Sequence, residues 1–212
     1  MPELGVLMRL AFSLSLIVAI SSGPLVAAPP SDESLARSIA DLSGKNCYGI
    51  AAGTIAMPTV ADPNALDKSV KVIEGMGLNY GVNDSMMKGL GRPGLTLISQ
   101  ATMGSKSFDQ GEVVLAVGGR QPGCRVILLS EPTLNITDAV STQLSRTDWK
   151  PVPSMTAMRG AIERRAFFRR DGKGNPYLMN LMTITSPALD SKLRMFTTTM
   201  RIPSGVQLPE GL

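Results

Sequence analysis

No histidine occurs anywhere in the 212 residues, and that absence excludes more chemistry than any motif present supports. Without imidazole there is no Ser-His-Asp or Cys-His nucleophilic machinery. There is no imidazole acid or base near neutral pH, and no His-ligated zinc. Cysteine is almost as scarce. The two present, Cys47 and Cys124, are too few for a zinc site of the usual N/S type once histidine is gone. They also lie too far apart for a redox Cys-x-x-Cys pair. Aromatic residues make up only 4% of the chain, whereas methionine is frequent at 13 residues. Thioethers are therefore expected to fill core space that Phe and Tyr fill elsewhere. Long hydrophobic runs are missing too. The mostly apolar run Leu10–Ile20 is about half of the ~20 residues a helix needs to cross a bilayer.

That short run fits an export signal. Arg9 supplies a basic flank, Leu10–Ile20 the apolar segment, Ser21, Ser22, Gly23 and Pro24 the break, and Val26 and Ala28 the small residues a signal peptidase reads. Residues 1–28 are thus expected to be removed, although Pro29 after the cut is disfavoured and can shift it by a few residues. An uncleaved anchor is the weaker reading, because the run is short and Gly23-Pro24 interrupts it. No cysteine follows the run, which argues against a lipid anchor there, and no Arg-Arg pair precedes it, so a twin-arginine route is not indicated. The mature chain has no further segment apolar enough to span a membrane, and a periplasmic or secreted location is expected. In an oxidising compartment Cys47 and Cys124 are expected to pair. The bond would close a loop of about 78 residues, contributing roughly 4.5 kcal/mol on a chain-entropy basis.

With 43% hydrophobic and 18% charged residues, residues 29–212 read as one α+β domain, helical over 31–90 and sheet-forming over 95–203. Leu35, Ile39 and Leu42 recur at helical spacing over 31–43, with Gly44 as the expected stop. A second helical piece carries Cys47, Ile50 and Ile55. A third starts at Asp62-Pro63, carries Leu66, Val70 and Ile73, and ends at Gly75 and Gly77. Residues 78–94 read as a loop. Strands are expected from period-two alternation over 95–101, from the apolar runs Val113–Val117 and Cys124–Leu129 around a Gly/Pro turn, from Ala161–Arg170 and Tyr177–Thr185 around a second turn, and from Lys192–Ile202. Apolar residues on both faces place 113–129 centrally. Thr137 is the expected cap of a helix over 138–146. The prediction is therefore N-terminal helices packed on a mostly antiparallel sheet of five to six strands, with one helix between hairpins.

Positive charge is polarised. Residues 113–212 carry 13 basic and 7 acidic side chains, residues 29–112 carry 7 and 9. The excess centres on 159–173, where Arg164 and Arg170 fall on one face of a strand and Arg165 and Arg169 on the other. Arginine offers a bidentate fork for phosphate or carboxylate, so these four are the candidate ligand-binding residues for an anionic envelope component or acidic protein. The simpler reading is charge that protects an edge strand and aids solubility. Phe167 and Phe168 between the arginines would suit stacked single-stranded nucleic acid, but no RNA-recognition signature accompanies them and an exported protein rarely meets that ligand. Ser85-Met86-Met87-Lys88 matches the Ser-x-x-Lys pattern of histidine-free acyl-transfer enzymes. No Lys-Thr-Gly follows, so Ser85 and Lys88 are a secondary catalytic candidate. Met155/Met158 and Met179/Met182 are better explained as packing than as a thioether copper site. Gly118-Gly119 lacks dinucleotide-loop spacing. Asn83 and Asn135 open glycosylation sequons. No cofactor or metal is expected. The first expectation is a non-enzymatic binding or accessory protein; the alternatives are a serine hydrolase or acyltransferase using Ser85 and Lys88, and a structural envelope component. Oligomeric state is not legible at this level.

Overall fold

A computed structural model describes residues 30–58, 64–81, 101–118, 123–131, 133–186 and 192–208. The leader, the Asp62-Pro63 helix start, residues 82–100 with Asn83, Ser85 and Lys88, and the tip 119–122 of the first turn lie outside the described residues.

The chain opens with α1 (Pro30–Asp41), which runs through a π-helical turn (Leu42–Cys47) directly into α2 (Tyr48–Ala52). Leu35, Ala36, Ile39, Ala40 and Leu42 are all buried, which is the single apolar stripe that helical spacing requires. Gly44 does not stop the helix as the sequence suggests. The wider π turn frees carbonyls for other donors: Ser43 O accepts from Thr199 Oγ1 at 3.1 Å, and Gly44 O from the Trp149 indole at 3.0 Å. A Cβ at position 44 would lie 3.1 Å from Trp149 Nε1, so glycine is present to admit the indole. The helix ends at Gly53, at φ +74°.

After α3 (Ala65–Gly75) come β1 (Asn79–Tyr80), β2 (Ala101–Phe108), β3 (Gly111–Gly118), β4 (Cys124–Ser130), α4 (Thr137–Ser145), β5 (Lys150–Pro151), a 3₁₀ turn (Pro153–Met155), β6 (Ala157–Arg159), β7 (Ile162–Arg170), β8 (Pro176–Ile184) and β9 (Leu193–Arg201). The nine strands form one sheet in the order β1-β2-β3-β4-β9-β8-β7-β5, with β6 also on the outer side of β7. Every pairing among the described strands is antiparallel. The α+β class is as expected, but the sheet has nine strands rather than five to six. The strand expected over 95–101 lies outside the described residues except for Ala101; the additional strands are β2, which runs on from there, and β1, β5 and β6, of two or three residues each, too short to show a period.

Helices cover one face of the sheet. Val113, Leu115, Cys124, Val126, Leu128, Met179, Leu181 and Met195 meet Leu35, Ile39, Cys47, Val140, Leu144 and Trp149 there. The Cys47–Cys124 disulfide joins the π turn to β4 inside this layer, both residues being at most 1% exposed. Asn135 Oδ1 accepts the Thr137 N–H at 3.2 Å at the start of α4. The Thr137 hydroxyl, the expected cap, instead meets Thr183 on β8 at 2.9 Å. The opposite face carries two smaller clusters, one around Val114, Ala116 and Ile127 and one around Ala166, Phe168 and Ile202. β3 and β4 are apolar and buried on both faces, in keeping with their interior place in the order.

Candidate functional site

Alternation along β7 divides its four arginines between two environments. Odd positions face the helices, where Phe167 is 2% exposed; even positions face the other way, where Ala166 is 1% and Phe168 6% exposed. β7 is not an edge along its whole length. β6 pairs with Ile162–Arg164 and β5 with Phe167–Phe168.

On the helix side, Arg165 bridges β7 to α4. Its guanidinium meets Asp138 at 2.7 Å, Glu163 at 2.6 Å and Ser141 Oγ at 3.1 Å. Partial burial works against its charge, but the hydrogen bonds from Glu163 and Asp138 outweigh that and hold the group more firmly protonated than usual. Arg169 lies over the Tyr48 ring, its guanidinium carbon 3.9 Å from the centroid, with Trp149 at 5.7 Å and Asp148 at 2.9 Å. Tyr48 in turn meets Trp149 and Tyr177 edge to face. Among the described residues, the buried Arg169 Nε has no acceptor; the cation is held through its terminal nitrogen, which donates to Asp148, and by the ring faces.

On the opposite side, Arg164 Nε donates to Asn180 Oδ1 at 2.9 Å. Arg170 is exposed, donates to Gly174 O at 3.1 Å and lies 5.3 Å from the Phe168 ring centre. The adjoining turn is organised by Asp171. Its carboxylate accepts from the Asn175 amide, from the backbone N–H groups of Asn175 and Lys173, and from the Tyr177 hydroxyl. The Asn175 side chain, followed by those other donors, holds the Asp171 carboxyl below the usual range despite some desolvation. Gly174, at φ +80°, supplies the left-handed residue that the turn requires. Arg201 donates to Asn175 Oδ1. Arg170, Lys173 and Arg201 therefore gather at this end of the β7–β8 hairpin, with Asp171 turned inward among them.

Two buried cations were passed over in the sequence. Arg125 on β4 is 5% exposed and Arg194 on β9 is 2% exposed. Arg125 donates to Gly118 O at 3.3 Å, and burial pushes its guanidinium down. Arg194 donates to Ser186 O at 3.3 Å. The available signal was one arginine inside each of two otherwise apolar or Thr-rich strand segments. The remaining candidates are dispersed. Met179 is buried on the helix side and Met158 is 62% exposed. Asn135 of the second sequon is exposed, whereas Ile136 and Thr137 are buried. Among the described residues, no group of three or more His, Cys, Asp or Glu side chains is placed to hold a metal ion, and no helix is long and apolar enough to cross a membrane.

Comparison with known proteins returns no matching family model, no matching curated protein and no matching solved structure.

Proposed function

We propose that this chain is exported, loses a leader of about 28 residues in the manner of a secretory signal, and acts in the periplasm or outside the cell as a non-enzymatic binding or accessory protein for an anionic partner. The observation that carries the reading is the division of the arginines on β7. Arg165 and Arg169 are engaged by acids and rings under the helices, whereas Arg164 and Arg170 lie on the face away from them, Arg170 in the exposed basic end of the hairpin. A guanidinium on a sheet face is suited to carboxylate or phosphate. The Cys47–Cys124 disulfide supports an oxidising compartment. The partner class, an anionic envelope component or acidic protein, follows from charge alone.

The test is co-sedimentation of the protein with envelope fractions. Association is expected to weaken steeply with added salt and to be lost in Arg164→Ser/Arg170→Ser. Arg165 and Arg169 are left intact so that folding is spared. Association unchanged by both salt and the double substitution would remove the reading.

A further inference from the structure

The outer side of β7 is covered by two short strands whose own outer edges differ. In an antiparallel pair, successive residues turn their backbone groups alternately toward and away from the partner strand. Thr185 N donates to Ala161 O and Val152 N to Ala166 O, so odd positions of this stretch bond β8 and even positions bond β5 and β6. Pro151 stands opposite Phe167 and Met158 opposite Glu163. Both therefore turn their backbone groups outward. Pro151 has no N–H to present there, and proline is one of the ways an edge strand is closed to further pairing. Met158 presents both an N–H and a carbonyl. Ala157, Met158 and Arg159 are all exposed, and β6 pairs with β7 alone among the described strands.

Charge selects what this edge accepts. Residues 149–162, which form it, contain no Asp or Glu but carry Lys150 and Arg159, both exposed. Arg159 stands opposite Ile162 and so lies on the face away from the helices. It makes no hydrogen bond or ion pair among the described residues. Glu163 and Asp138 lie on the helix side, engaged by Arg165. A second copy pairing antiparallel through Met158 would bring two Arg159 side chains onto one face with no acid between them, and like charges so placed are destabilising. An acidic strand would neutralise the same face.

We propose that β6 docks an extended acidic polypeptide segment by strand addition, its main chain paired to Met158 and a carboxylate set against Arg159. The inference rests on the anionic-partner reading above and narrows it to an acidic protein chain. Backbone pairing supplies affinity, and the alternation of side chains supplies selection. In antiparallel register the incoming residue opposite Met158 lies on the helix-side face beside a methionine that is 62% exposed, and suits an apolar side chain. The residues on either side of it, opposite Arg159 and Ala157, lie on the outer face. Arg159 itself and Arg164, which stands next to Ala157, make acids favourable there. The segment recognised is therefore acidic, apolar, acidic.

Amide hydrogen exchange followed by NMR, on the protein expressed from its full chain and titrated with a short capped peptide centred on Glu-Val-Glu, tests this. Exchange of the Met158 N–H is expected to slow saturably, while that of Gly172, exposed in the turn at the other end of β7, stays unchanged. N-methylation of the peptide valine removes the donor to the Met158 carbonyl and is expected to weaken binding about tenfold. A Lys-Val-Lys peptide is expected not to bind. Arg159→Ser is expected to weaken Glu-Val-Glu about fivefold without changing the melting temperature. Absence of saturable protection at Met158 would overturn the inference, as would equal binding of the N-methylated or the lysine peptide, or unaltered binding in Arg159→Ser. Protection of Met158 that rises with protein concentration alone would assign the edge to a second copy, and protection by anionic lipid vesicles but not by peptide would assign it to a membrane surface; either overturns it. Salt-sensitive envelope association that is lost in Arg164→Ser/Arg170→Ser, without protection of Met158 by peptide, would sink this inference and leave the anionic reading standing.

Discussion

Replacing Arg169 by alanine separates the two roles that an arginine on β7 can have. The guanidinium lies 3.9 Å from the Tyr48 ring centre, and the side chain is only 16% exposed. A desolvated cation–π contact contributes about 2 kcal/mol, and the buried stem adds roughly 1 kcal/mol. The ion pair to Asp148 is worth little, because the Asp148 side chain is 79% exposed and such pairs typically give 0–1 kcal/mol. Against these stands the buried Nε without an acceptor among the described residues, which costs about 1 kcal/mol. The net expectation for Arg169→Ala is a loss of about 2 kcal/mol, or a fall in Tm of roughly 4–8 °C for a chain of this size. Arg169→Met keeps the stem and removes the orphaned donor, so it should lose about half as much, about 1 kcal/mol. Asp148→Ala should stay within about 1 kcal/mol of the parent. Thermal unfolding followed by fluorescence of Trp149, the only tryptophan in the sequence and a neighbour of Arg169, reads all three. If Asp148→Ala costs as much as Arg169→Ala, charge attraction dominates and the ranking above is wrong. If Arg169→Ala changes nothing, this arginine does not hold the fold and rejoins the candidate binding residues.

Removal of the disulfide in Cys47→Ala/Cys124→Ala should cost up to about 4.5 kcal/mol for a crosslink of this span, lowering Tm by roughly 9–18 °C; calorimetry on oxidised parent and variant checks it. Gly104→Ala should destabilise by about 1–3 kcal/mol, because a Cβ there would sit 2.2 Å from Ile73 Cγ2. Adding Ile73→Ala should recover part of that loss in a double-mutant cycle, and no recovery would mean that α3 does not pack on β2 at this glycine. The Asp171 carboxyl is depressed in the folded state, so its stabilisation of the hairpin is complete above the unfolded value of about 3.9 and is lost as pH falls through the lower folded value. Asp171→Asn should remove that acid-side dependence, measured as the difference in denaturant midpoint between neutral and acid pH.

The longer elements were legible because burial writes a period into the sequence. Leu35, Ile39 and Leu42 marked the first helix, and the runs in β3 and β4 marked interior strands. Elements whose residues serve another element's packing were not legible. Gly104, Ser105, Lys106 and Ser107 in β2 do not read as strand, yet glycine is required at 104 by the approach of Ile73. Gly44 reads as a helix stop, but its role is set by Trp149, which lies far away in sequence. Thr137 reads as a cap, but its partner on β8 is absent from any local window. The alternation of arginines on β7 was legible. Their different surroundings were not, because Tyr48, Asp138 and Asp148 come from other parts of the chain. The outward turn of the Met158 backbone is invisible in sequence for a related reason, since pairing with β7 sets it.

Intact-mass analysis of the protein recovered from its native compartment, before and after reduction and alkylation, bears most directly on the reading of an exported, internally crosslinked binding protein. A chain that begins near residue 29 and takes up alkylating agent at Cys47 and Cys124 only after reduction is the predicted result. A chain that still carries residues 1–28, recovered from the cytoplasm with both thiols reactive from the outset, would contradict it.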